Sequence, residues 1–153
     1  MTEQEILEGN KCIAEFDGWK LRPRPYVNSD REEFPWWEKL VDGKVVNTYH
    51  HDILLAKGRF EYGSYYSSWD WLMPVVEKIE SFHLYFYIET HGSWIEYMGV
   101  EDPELPWLNA FWNQEINNDT NEGRTKLECT WLTCVQFIKW YNENKNPQSK
   151  DRG

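Results

Sequence analysis

Apolar residues recur along this chain with two periods, and the periods mark out its elements. The segment from Thr2 to Gly18 carries Ile6, Leu7, Ile13, Ala14 and Phe16 on a helical stripe. Thr2 and Glu5 have the spacing of a capping box, and Gly18 is the stop signal. Trp19 to Leu21 reads as a short strand. RPRPYVNSDREEF, with two prolines and no period, reads as a loop. The pair Asp42-Gly43 separates WWEKLV from KVVNTY. An Asp-Gly between β-prone runs predicts a hairpin, because a type I′ turn needs positive φ at both central residues. A further short strand is expected between Ile53 and Tyr62, limited by Gly58 and Gly63.

The second half repeats this alternation. Ser67 to Ser81 places Leu72, Val75, Val76 and Ile79 at helical spacing, with Ser67 or Ser68 as the cap. Pro74 removes a backbone donor, so the helix is expected to start near Met73, with proline in its first turn. From Phe82 to Glu89 the period changes to two. Phe82, Leu84, Phe86 and Ile88 alternate with His83, Tyr85, Tyr87 and Glu89, which predicts a strand with one buried face. His91-Gly92 turns it, and Ser93 to Met98 returns it. Pro103 and Pro106 interrupt the next stretch. Trp107, Leu108, Phe111 and Trp112 then fit one short helix, and NNDTNEG reads as a loop. The clearest helix is the last, with Leu127, Trp131, Cys134, Val135, Ile138 and Tyr141 on one stripe. Together these elements predict an α+β fold: a small antiparallel sheet with hairpins, covered by about three helices, N-terminal, central and C-terminal. Residues 1–142 are expected to form a single α+β domain and 143–153 a flexible polar tail.

Size and composition agree with a globular chain. The 153 residues match one ordinary domain and can bury a core without disulfide or metal. Three cysteines, Cys12, Cys129 and Cys134, form no C-x-x-C pair and suit a reducing, cytoplasmic setting. No apolar run is long enough to span a bilayer, and the acidic N-terminus does not read as a signal peptide.

Charge changes the picture more. The formal net charge is −10. That argues against direct nucleic-acid binding through phosphates and favours a basic partner or simple solubility. The acidity is also concentrated. Between Ile79 and Gly123 there is no Lys or Arg, while Glu80, Glu89, Glu96, Glu101, Asp102, Glu104, Glu115, Asp119 and Glu122 all fall there. The first 78 residues carry 10 basic against 14 acidic groups, and the last 30 carry 6 against 3. Tyr85, Tyr87, Trp94, Tyr97, Trp107, Phe111 and Trp112 are interleaved with the acids. Carboxylates steer a basic partner and large rings anchor it, so Glu96, Glu101, Asp102, Glu104, Trp107, Trp112 and Glu115 are the candidate partner-binding residues. The competing reading is a solvated acidic rim around an ordinary aromatic core.

Signals for catalysis are weak. His50-His51 would point to opposite faces of a strand, which suits them poorly as joint ligands. Cys129 and Cys134 are badly spaced for metal, and Cys134 lies on the apolar stripe. His83 and His91 read as solvated or hydrogen-bonded residues. No phosphate loop, Rossmann fingerprint, zincin or nucleophile-elbow motif occurs. No catalytic residue, cofactor or metal is therefore expected. A basic cluster, Lys20, Arg22, Arg24 and Arg31, falls in the proline-containing loop and reads as surface.

Three segments carry a resemblance. EGNKCIAEFDGWK, SSWDWLMPVVEKIES and TKLECTWLTCVQFIKWYNENK resemble a recurring class of small phage and prophage accessory proteins. The class has an "N-K-x-I-A-E-F-x-G-W" opening, a central "S-W-D-W-L-M-P-V-V-E-K-I" and a C-terminal amphipathic helix. More distantly the layout is similar to the phage ABA sandwich domain, in which helices cover a small sheet. Asn10, Gly18, Trp19, Trp69, Asp70 and Trp71 within these motifs read as packing and capping residues. The resemblance supplies no catalytic residue. It implies a phage-encoded inhibitor of host defence, most concretely an anti-CRISPR that binds a basic partner, a Cas nuclease or its guide RNA complex, in the host cytoplasm. The alternatives are a nucleotide-signal sponge using Trp36, Trp37, Arg22 and Arg24, a small enzyme, or a phage structural or accessory protein without a defence role.

Overall fold

The computed structural model describes residues 1–21, 26–27, 33–34, 36–50 and 64–145, with side chains for 1–20, 38–46 and 64–145. The class is α+β, as the periodicity implies. The chain divides into two compact units, Met1–Gly63 and Ser64–Gly153. Its described strands fall into two three-stranded antiparallel sheets and a two-stranded ribbon.

The first unit opens with α1 (Glu3–Phe16). Its capping box is complete: the Glu5 N–H donates to Thr2 Oγ1 at 3.1 Å, and the Thr2 N–H donates to Glu5 Oε2 at 2.7 Å. That backbone bond holds the Glu5 carboxyl below its usual pKa. The helix stops where Gly18 takes φ +99. A Cβ there would lie 2.7 Å from the Leu40 carbonyl oxygen, so the close approach requires glycine. Leu40 N–H donates to Gly18 O at 2.9 Å, and Lys39 pairs with Asp17 at 3.2 Å. These contacts set β1 (Trp19–Leu21) beside β4 (Trp36–Val41). β4 continues into β5 (Lys44–His50) through Asp42 and Gly43, at φ 52 and 77, as a type I′ turn requires. Within the segment expected to be a loop, β2 (Tyr26–Val27) pairs with β3 (Glu33–Phe34). Both prolines of that segment precede β2 in sequence, so neither falls within the ribbon. The strand expected between Ile53 and Tyr62 lies outside the described residues.

The second unit holds α2 (Trp69–Glu80), β6 (Leu84–Glu89), β7 (Gly92–Tyr97), α3 (Leu108–Phe111), β8 (Ile116–Asp119) and α4 (Lys126–Asn144). α2 begins at Trp69, four residues before the expected start, so Pro74 is inside the helix. Ser68 occupies the cap position without a capping bond from its side chain. The helix tolerates the lost donor because Pro74 faces solvent while Leu72, Val75, Val76 and Ile79 are buried on the opposite stripe.

The sheet order is β6-β7-β8, antiparallel throughout. β8 corrects the reading of NNDTNEG as loop. Asn and Asp are poor strand formers, but here α4 satisfies the one that is buried, Asn118. Asn118 is buried, and its amide donates to Thr133 Oγ1 and Gln136 Oε1, both at 3.0 Å. The Cys129 thiol donates to the Asp119 carbonyl at 3.2 Å, and Ile116 is buried. α4 is capped by Thr125, whose Oγ1 accepts from Glu128 N–H at 3.1 Å. It buries a broader face than the expected stripe, adding Cys129, Thr130, Thr133 and Phe137. An aromatic cluster fills the space between α3 and α4. Trp107 meets Phe82 at 5.3 Å and Tyr141 at 5.2 Å, and Phe111 meets Trp140 at 5.1 Å, all edge-on.

Candidate functional site: an acidic, aromatic sheet face

Alternation along the C-terminal sheet sorts its side chains between two faces. Opposed residues in an antiparallel pair share a face. Leu84, Phe86 and Ile88 therefore group with Ser93 and Ile95, and through these with Ile116 and Asn118, on the side that α4 covers. Tyr85, Tyr87, Glu89, Trp94, Glu96, Asn117 and Asp119 lie on the other side.

That outer face is a ladder of rings edged with carboxylates. Tyr87 stacks on Trp94 with centroids 4.9 Å apart, and Tyr85 lies 6.1 Å from Tyr87. The Trp94 indole N–H donates to Glu96 Oε1 at 3.2 Å. Desolvation, then the negative charge of Glu96, pushes the Tyr87 phenol above its ordinary pKa. The acidic surroundings thus disfavour a further negative charge on this face.

Beside the ladder runs an open groove of about 680 Å³. β7 and β8 form its floor, and the turn after α3 forms its far wall. Trp94, Glu96, Tyr97, Trp112, Glu115 and Asp119 line it, and among the described lining residues there is no Lys or Arg. Trp112 is 68% exposed and touches Tyr97 edge-on at 5.7 Å. Trp112 is thus a surface ring, not part of the core.

The seven sequence-derived candidates separate here. Glu96, Trp112 and Glu115 meet in the groove. Trp107 does not: it is 4% exposed, inside the aromatic cluster. Glu101, Asp102 and Glu104 sit in the loop between β7 and α3, outside the groove lining. Asp102 is engaged there, since its Oδ2 lies 3.2 Å from His83 Nε2 and its Oδ1 accepts from the Glu104 N–H at 2.9 Å. Sequence reasoning did not select Trp94 or Asp119. The period-two pattern over Ser93–Met98 would have placed Trp94 with Glu96, whereas Asp119 depended on recognising β8.

Among the described residues, no group of three or more His, Cys, Asp or Glu side chains is placed to hold a metal ion. No helix among them is long and apolar enough to cross a membrane. The side chains of Arg22, Arg24, Trp36 and Trp37, the residues a nucleotide sponge would use, lie outside the described set, as do His51 and the side chains of His50 and Arg31. Comparison with protein families, curated proteins and solved structures finds no match.

Proposed function

We propose that this protein is a binding protein that engages a basic protein surface through the outer face of its C-terminal sheet. The observation that carries the reading is the groove itself: the exposed Trp112 ring, the half-buried Trp94 and Tyr97 rings and the carboxylates of Glu96, Glu115 and Asp119 in one concavity, with no Lys or Arg among its described lining residues. Clustered like charge raises the encounter rate with an oppositely charged partner, and aromatic anchors then slow dissociation. The resemblance of the helical segments to small phage accessory proteins gives the partner a class. It is a host-defence nuclease, such as a Cas effector, whose nucleic-acid channels are strongly basic. On this reading the protein inhibits by occupying or abutting such a channel, working in the host cytoplasm without cofactor or catalysis.

The test is capture of partners by the tagged protein from a bacterium with active nuclease immunity, followed by a cleavage assay on the captured enzyme. The expected result is one basic nuclease, enriched and inhibited at stoichiometric ratio. A small nucleotide released on heating, with no protein partner, would instead support the sponge.

A further inference from the structure

β7 is longer than the neighbour that covers it. The β7–β8 ladder ends at the pair Ile95 and Ile116, whereas β7 runs on to Tyr97. The parity of the main-chain bonds shows where Tyr97 points. Thr120 N–H donates to His91 O at 2.9 Å, so His91, Ser93 and Ile95 turn their main-chain groups toward β8. Met98 N–H donates to His83 O on the opposite side, so the even-numbered residues serve β6. Tyr97 is the next odd residue. Its N–H and C=O therefore point to the side where β8 has already ended. Continuing the register would set Gln114 opposite it, but Gln114 N–H donates to Phe111 O at 2.9 Å. Among the described residues, no hydrogen bond reaches either main-chain group of Tyr97. The strands part here, and the opening is the groove lined by Trp112 and Glu115.

Building on the proposed binding face, we infer that this opening receives a short extended peptide segment of the partner, pairing with the Tyr97 main chain and inserting an arginine side chain into the groove. Strand addition to an unpaired edge supplies main-chain bonds, and flanking pockets choose the side chain. The pocket chemistry here selects guanidinium. Glu96 and Glu115 offer carboxylates to a planar fork of donors, and Trp94 and Trp112 offer ring faces. Glu96 is partly held in place by the Trp94 indole bond. A lysine ammonium would bring the same charge, but it is more strongly hydrated and cannot stack or bond two carboxylates in one plane.

The experiment is an NMR titration of the labelled full chain with three five-residue peptides, identical except for two positions that are arginine, lysine or citrulline. The arginine peptide should shift the Tyr97 amide and the Trp94 and Trp112 indole signals, leaving Trp107 unmoved. The lysine peptide should bind about fivefold more weakly, and the citrulline peptide should not bind detectably. Trp112→Ala and Glu115→Gln, both at exposed positions, should each weaken the arginine peptide by about fivefold to tenfold. Equal shifts from arginine and lysine peptides, spread over every exposed carboxylate, would overturn the inference. So would a still Tyr97 amide. If the Tyr97 amide stays still while reversing Glu96 and Glu115 abolishes capture of the nuclease, the inserted peptide fails and the binding face stands. If capture is indifferent to those reversals, the binding face itself fails.

Discussion

Two tryptophans five residues apart have opposite roles, and burial is what separates them. Trp107 is enclosed by Phe82, Phe137, Trp140 and Tyr141, while Trp112 stands in solvent against one ring. Trp107→Ala should destabilise the fold by about 3–5 kcal/mol through lost burial and a cavity. Trp112→Ala should cost about 1 kcal/mol or less, the value of one edge-on aromatic contact. Urea denaturation of the two variants reads both numbers. Cysteines divide in the same way. Cys134 is fully buried and its thiol is pushed far above the ordinary range; burial, ahead of the neighbouring charges, also raises Cys129. In the native protein a thiol reagent should therefore label Cys12, which is half-buried, and reach the other two only after unfolding. The sequence marked Cys134 as core by its place on the helical stripe. It did not mark Trp107, because its neighbours in the cluster are distant in sequence.

At the scale of elements, β8 depends on α4. Besides its ladder with β7, the strand has one buried apolar side chain, Ile116, and is tied to α4 by the Asn118 amide bonded to Thr133 and Gln136. Asn118→Leu keeps the size but removes the bonds to Thr133 and Gln136. Thr133 Oγ1 still donates to Cys129 O and Ser93 O, and the exposed Gln136 turns to water, so the change should cost about 1 kcal/mol. Its amide-exchange signature should be selective, with β8 losing protection before β6 and β7. This dependence also explains what could be read from the chain. α1, the Asp42-Gly43 hairpin, β7 and α4 follow from local rules, namely caps, turn residues and period, and form within a residue or two of where those rules put them. β6 starts at Leu84 rather than Phe82, because Phe82 packs into the aromatic cluster and His83 turns the chain at φ 62. β8 and the early start of α2 do not follow from such rules. One is a polar segment made a strand by a partner helix. The other is a proline carried inside a helix because its buried stripe outweighs one missing bond. The candidate site was legible in part for the same reason. Charge segregation pointed to Glu96, Trp112 and Glu115, which line one groove. It could not show that the loop of Glu101, Asp102 and Glu104 falls outside the groove, because that follows from where β7 ends.

For the molecule as a whole, ionisation and charge give two tests. Tyr66, Tyr87, Tyr141, Cys129 and Cys134 all have folded pKa values raised above ordinary, with desolvation the leading cause in each. A raised acid pKa means that the folded chain holds its proton more tightly than the unfolded one. The resulting stability is complete below the unfolded value and is lost as pH rises through the folded one. The urea midpoint should therefore fall as pH is raised past the ordinary cysteine and tyrosine values, about 8.5 and 10. A midpoint flat across that window would contradict the burial of these groups. Net charge governs association instead. With −10 overall, and Glu96, Glu115 and Asp119 lining the groove, the association rate with a basic partner should drop about tenfold or more as ionic strength rises from roughly 0.01 to 1 M, with a smaller change in dissociation. The most direct test of the binding face compares two charge reversals in the same nuclease-capture experiment. One pair, Glu96→Lys with Glu115→Lys, lies in the groove; the other, Glu101→Lys with Glu104→Lys, changes total charge equally but lies in the adjoining loop. Loss of capture with the first pair and retention with the second is the predicted result. Equal loss with both, or retention with the groove pair, would contradict it.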